Sequence, residues 1–342
     1  MKVIMFGVVL INIAVLLSAC TSDNKEETES QQKEESAAKV FSIGELSGDQ
    51  FIADYTVAKE GVLRSIPKKY IDLARQNLHV AYQHTSHGTH VSRGLYGLQD
   101  YKEGDDVLFG ITNHNPQEGK LDFRDYALQE YAEPGRNGVD LSRDETAFIQ
   151  ATRNYLDDED NADINVVMWS WCNIAGHDVS GNYLPGMKIL IDEYGVGGSK
   201  LGNEKGQRKN AVAFIFMTGH ANRSTNTGVG NPKEQARLIN DYCNANGLLC
   251  LDYYSIDTHC MNDNYWEDAG DNGDSGNYGG NFYEDWQSEN ELGIAYFESK
   301  NKPGGEVKLG SHTTQYITSN RKAYAMWWIL ARLSGWDGEY TE

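Results

Sequence analysis

The fold class this sequence predicts is a three-layer α/β/α domain with a mainly parallel central sheet. Two observations carry that expectation. Short, largely apolar runs such as residues 162–169 and 211–217 alternate with stretches of helical period, the pattern of strands buried on both faces between helices. Polar, chemically able residues then gather just past the ends of those runs, where open α/β sheets place their sites: Ser86, Cys172 and Asn173, His220 and Asn222, and Asp257-Thr258-His259.

Taken in order, residues 1–19 read as an address. Met1-Lys2 is a short basic start, and the apolar stretch 3–16 is too short to span a bilayer comfortably. Leu17-Ser18-Ala19-Cys20 resembles a bacterial lipoprotein signal, which implies lipidation (palmitate) at Cys20; the other reading is an uncleaved membrane anchor. Both place the remainder outside the inner membrane, in the first case on the outer membrane or cell surface, as a soluble domain on a lipid tether. Residues 20–40 are acidic and almost free of apolar side chains, so they are expected to be a disordered tether. Asp23-Asn24-Lys25-Glu26-Glu27 resembles the export tag of surface lipoproteins in Bacteroidetes-type bacteria.

Residues 41–342 are long enough for one catalytic domain with a full core. The net charge of −20 argues against nucleic acid and anionic membrane surfaces as partners. Beyond Cys20, four cysteines remain: Cys172, Cys243, Cys250 and Cys260. The last three lie close enough in sequence for one disulfide among them, and no spacing reads as a zinc site.

Within the domain, residues 66–75 read as a helix with Pro67 in its first turn, followed by an apolar strand over 78–83. A helix over 144–156 has Ser142 as N-cap and Glu145 in a capping-box position. Strands follow at 162–169, 211–217 and 248–252, helices at 187–194 and at 232–246 with Gly247 as its stop, and a glycine-rich turn at 195–206. A last helix covers 319–333. Residues 261–307 form an insertion rich in Gly, Asn, Asp and aromatics, with nothing helical until the chain recovers. There Asp268, Asp271 and Asp274, with Asn272, have the oxygen chemistry of a structural calcium site, though not an EF-hand spacing. Tyr265, Trp266, Tyr278, Phe282, Tyr283 and Trp286 either stack on sugar rings or pack the loop down.

The turn His84-Thr85-Ser86-His87-Gly88, at the tip of the 78–83 strand, holds a hydroxyl among imidazoles. A serine hydroxyl becomes a nucleophile at neutral pH when a base lies within hydrogen-bond reach; the alternative is a polar surface turn. The order of this turn, Thr218-Gly219-His220-Ala221-Asn222 and Gly310-Ser311-His312-Thr313-Thr314 resembles the SGNH (GDSL-like) hydrolase family across most of residues 66–336. The resemblance implies a flavodoxin-like sheet, Ser86 as nucleophile, His312 as its base just before the last helix, and Asn222 as an oxyanion donor. Gly176 is the best match to the family's glycine donor. Where the family has aspartate three residues before the histidine, this chain has Leu309, so the supporting acid is expected to be Asp257 or Asp252, or to be absent. No cofactor is required.

His84, His87 and His220 exceed what ester chemistry needs. They support a second expectation, β-elimination on uronic-acid-containing oligosaccharides by histidine acid/base groups, helped by Arg93 or a tyrosine. A metal held by His84, His87 and His90 fits less well, because a strand-turn does not bring that spacing onto one face. A non-catalytic carbohydrate-binding lipoprotein would leave the strand-end polar groups without a purpose. The leading expectation is a serine esterase removing acyl groups from extracellular polysaccharide.

Overall fold

The computed structural model describes residues 46–340; the expected signal, Cys20 and the tether lie outside the described residues. The strands are β1 (Ile52–Ala53), β2 (His79–Gln83), β3 (Ile111–Asn113), β4 (Leu121–Asp125), β5 (Val166–Trp169), β6 (Ala213–Met217) and β7 (Cys250–Leu251). They form one sheet in the order β1-β7-β6-β5-β2-β4-β3, and every pairing in it is parallel. From β2 the chain moves to β3 and β4 on one side, then crosses to β5 on the other. The carboxyl ends of β2 and β5 therefore flank a topological switch point, the crevice where such sheets bind ligands.

Alternation along the strands divides the core. Ala81, Val167, Trp169, Phe214 and Phe216 pack with Phe148, Tyr155, Met187, Leu190 and Ile239 from the helices Ala147–Asp157, Leu184–Tyr194 and Pro232–Asn246. The intervening residues, including Val80, Tyr82, Val166, Met168 and Ile215, are equally buried toward the opposite layer. That layer holds helices Lys68–Asn77, Thr89–Leu98 and Ile317–Leu333. The last of these is buried at every residue. Gly94 lets Thr89–Leu98 lie against it, since a Cβ there would sit 2.2 Å from the Ser319 carbonyl oxygen. Three of its polar residues tie it to its surroundings: Asn320 bonds Phe297 N and O at 2.9 and 3.0 Å, Arg332 donates to Ser47 O at 2.5 Å, and Lys322 pairs with Asp257.

The expected elements appear with shifted ends, and four corrections follow. Strands β1, β3 and β4 add to the expected sheet. β4 lacks the apolar signature of the other strands, because Leu-Asp-Phe-Arg-Asp is polar; Asp122 is buried by bonding to His79 and Arg124, each at 2.9 Å. Ser142 and Glu145 do not cap a helix. Ser142 Oγ instead accepts Cys172 N and Asn173 N at 2.7 and 2.8 Å, and Glu145 takes His177 Nδ1 at 2.8 Å. The insertion contains a helix, Phe282–Ser288, whose N-cap Asn281 accepts Tyr283 N and Glu284 N at 3.0 and 2.9 Å. Finally, the expected disulfide is not formed: Cys172, Cys243, Cys250 and Cys260 are all free thiols. Cys260 is turned into its own loop, 2.9 Å from Asn262 Oδ1.

Candidate active site

β2 runs buried to Gln83, whose side chain anchors the strand end. Its Oε1 accepts Leu128 N and Gln129 N at 2.9 and 2.8 Å, and its Nε2 donates to Val139 O at 2.8 Å. The chain then turns sharply. Ser86 adopts φ 38°, and Ser86–Gly88 form one 3-10 turn leading directly into Thr89–Leu98. A serine at positive φ is strained by roughly 1–3 kcal/mol, a cost the surroundings must hold in place. Gly88 is required here, because a Cβ would meet His84 Cβ at 2.3 Å and Ser170 Oγ at 2.6 Å.

The structure brings Ser86 and His312 together: Ser86 Oγ is hydrogen-bonded to His312 Nε2. His312 is itself at φ 67°. The first turns of Thr89–Leu98 hold its loop. Thr89 Oγ1 accepts Ser311 N at 2.9 Å and donates to Ser86 O at 2.6 Å; His90 Nε2 donates to Ser311 O at 2.6 Å; Arg93 Nη1 donates to Leu309 O. Burial drives the His90 imidazole well below its usual pKa, with Lys322 adding to the effect, so it stays a neutral donor. Among the described residues Ser86 is the single hydrogen-bond partner of His312, and no carboxylate stands behind it.

Asp257 and Asp252 are elsewhere. Asp257 is fully buried, ion-paired with Lys322, and accepts Ala221 N at 3.1 Å; burial lifts its carboxyl to about 6 against the pull of Lys322. Asp252 bonds Thr218 Oγ1 at 2.9 Å and Asn240 Nδ2 at 2.6 Å. Asp257 thus ties the turn after β6 to the last helix instead of supporting His312. Gly176 is also corrected: its N–H is spent on Gly230 O at 2.9 Å. Asn222 sits partly exposed at the carboxyl end of β6, and its side-chain amide bonds no described residue.

His87 is the centre of a stack of imidazoles. Its ring lies 3.7 Å from that of His220 at 12°, and 4.5 Å from that of His312 at 18°. Its Nε2 is 2.6 Å from Asp271 Oδ2, and its Nδ1 is 3.7 Å from Cys172 Sγ. Burial opposes the charge on His87, but Asp271 and Cys172 outweigh it and raise the imidazole to about 9, so His87 is cationic at neutral pH. Burial and the neighbouring His87 push His220 down to about 4; its Nδ1 is occupied by Ala221 O at 2.7 Å. The charge also lowers the Cys172 thiol, against its burial.

His84 is not part of this group. It is buried beside Tyr82 and Tyr126, with Nε2 2.7 Å from Asp125 Oδ1. His84, His87 and His90 therefore share no metal. His87, His220 and Asp271 do place one ligand atom each within 4.8 Å of the others. Yet the two rings are stacked face to face in nearly parallel planes, so their in-plane lone pairs do not converge on one ion at about 2.0–2.1 Å. Nor do the calcium candidates converge. Asp268 takes Ser275 Oγ and Asn277 N at 2.6 and 3.0 Å, Asp274 takes Arg223 Nη2 at 2.5 Å, and Asp271 is spent on His87. Most of the aromatics pack the insertion: Phe282 and Tyr283 are buried in a small core with Cys260, and Trp266 and Trp286 lie against it.

Asp271 is bonded to His87 instead of standing in a calcium site, His90 holds the His312 loop instead of a metal, and Thr89 joins it there with no expectation attached to it. Their signal is local: polar side chains at positions 89, 90 and 93, one helical turn beyond Ser86, on a helix otherwise made of Val, Ser, Leu, Tyr and Gly. No family model, curated protein or solved structure matches this chain.

Proposed function

We propose that this protein is a serine ester hydrolase of SGNH-like design that removes acyl groups from extracellular carbohydrate. The observation that carries the reading is the hydrogen bond from Ser86 Oγ to His312 Nε2 at the sheet's switch point. Ser86 Oγ attacks the ester carbonyl while His312 takes its proton; the C–O bond to the sugar breaks and His312 returns the proton to the departing alkoxide. Water, deprotonated by the same imidazole, then releases the acid from Ser86. The Ser86 N–H and the unspent Asn222 amide stabilise the tetrahedral oxyanion. This chemistry needs no cofactor.

Elimination is supported less well. His87 is already protonated and locked to Asp271, and His220, with its pKa near 4, is a feeble base. The lipoprotein signal supports a protein anchored through Cys20 to the outer membrane, facing polymeric substrates. Ser86→Ala is expected to lower release of acetate from acetylated glycans by at least about 1000-fold with an unchanged circular dichroism spectrum; full activity in that variant would falsify the reading. Cys20→Ser is expected to move the protein from the membrane to the soluble fraction.

A further inference from the structure

We propose that the cleft beside His312 is a carboxylate-recognising subsite, so that the esterified sugar is an acidic one, a uronic-acid-containing oligosaccharide. The inference rests on reading Ser86 and His312 as the hydrolytic centre, and it names the substrate class of that centre. A cavity of about 710 Å³ opens at His312, lined also by Arg93, Val307, Lys308 and Tyr316. Two cations line it and no carboxylate does, in a chain with 50 acidic and 30 basic residues. The contrast within the molecule is direct: a cavity of about 360 Å³ in the insertion is lined by Asp285 and Glu289 and by no cation.

Arg93 is half-buried and spends only one Nη1 hydrogen on Leu309 O, leaving its Nε and Nη2 without a partner among the described residues. A guanidinium edge held by one anchor and otherwise unsatisfied matches the two oxygens of a carboxylate. The Lys308 side chain bonds no described residue either, although its backbone is fixed: Lys308 N donates to Ser299 O, and Ser299 Oγ donates to Lys308 O, each at 2.8 Å. Tyr316, partly exposed, offers a ring face to the sugar. The acid group thus seats on Arg93 and Lys308 while the ester reaches Ser86.

The test uses the full chain carrying Ser86→Ala, titrated calorimetrically with unesterified oligogalacturonate and with neutral xylo-oligosaccharide. At low salt the uronate is expected to bind at least about tenfold more tightly, and the preference to shrink toward unity near 0.5 M salt as the charges are screened. Lys308→Glu should abolish the preference, whereas Lys302→Glu, the same charge change on an exposed residue outside the cleft, should keep it. Lys308 is the variant of choice because Arg93 also positions the His312 loop. Equal affinities, no uronate binding, or a preference that survives Lys308→Glu overturns the proposal. Ester hydrolysis that persists in Ser86→Ala would instead remove the catalytic reading and leave the binding result standing.

Discussion

Ser86 and His312 meet with both backbones in the left-handed region. Strain of this kind persists only where neighbours over-determine the geometry, and here each neighbour is identifiable. Thr89 bonds Ser86 and Ser311 together, His90 holds Ser311, and Asp271 fixes His87 between two other imidazoles. The Asp271–His87 pair also has a pH signature. The pair is surrounded by Cys172, His220, His90 and His312; burial opposes the His87 charge, and the bonds to Asp271 and Cys172 together outweigh it. His87 binds its proton more tightly folded, near 9, than unfolded, near 6.5. Above about pH 6.5 the native state therefore holds more protons than the unfolded chain. Its stabilising contribution is complete below that pH and is lost as pH rises through 9. Asp271→Asn is expected to lower the melting temperature at pH 6 while narrowing the gap to the parent protein by pH 10. Parallel melting curves for the two proteins across that range would refute the assignment.

At the scale of elements, the strand–turn–helix from β2 into Thr89–Leu98 does two jobs. It presents Ser86 at the tip, and its first two turns clip the loop that carries His312. The turn closes only because residue 88 has no side chain. Gly88→Ala is expected to cost about 1–3 kcal/mol or more by overpacking against His84 and Ser170, readable as a lower urea midpoint at constant m-value. The helix was not foreseen, yet its polar residues at 89, 90 and 93 are the supports that replace the missing aspartate: Leu309 offers its carbonyl to Arg93 in place of a carboxylate to His312. The insertion was legible as functional but not as structured. Its acidic residues look interchangeable in sequence, and only folding separates Asp271, aimed at His87, from Asp268 and Asp274, which close their own turns.

For the whole molecule, the decisive feature is the fully buried last helix, which gathers the sheet, the insertion and the site around one axis. The Lys322–Asp257 pair is its link to the turn after β6, where His220 and Asn222 stand. Removing one partner leaves an uncompensated buried charge, so Asp257→Ala is expected to destabilise the fold by about 3–5 kcal/mol. Because Asp257 does not touch His312, residual folded Asp257→Ala protein should keep most of its turnover per folded molecule. A loss of turnover comparable to Ser86→Ala, in protein shown to be folded, would restore Asp257 to the catalytic group.

The sequence by itself determined the layered α/β architecture, the helix Pro232–Asn246 with its left-handed Gly247 stop, and the strand-end placement of Ser86, His220 and Asn222. These follow from short-range rules: apolar runs must be buried, glycine takes positive φ readily, and chain order dictates which polar residue follows which strand. The order of motifs already pointed from Ser86 to His312, 226 positions on. Only the tertiary structure decided the other partners: His87 and Asp271 are 184 apart, and Asp257 chose Lys322 over His312. Those pairings are set by loop paths and by the need to satisfy buried charge, quantities that no local pattern of residues encodes.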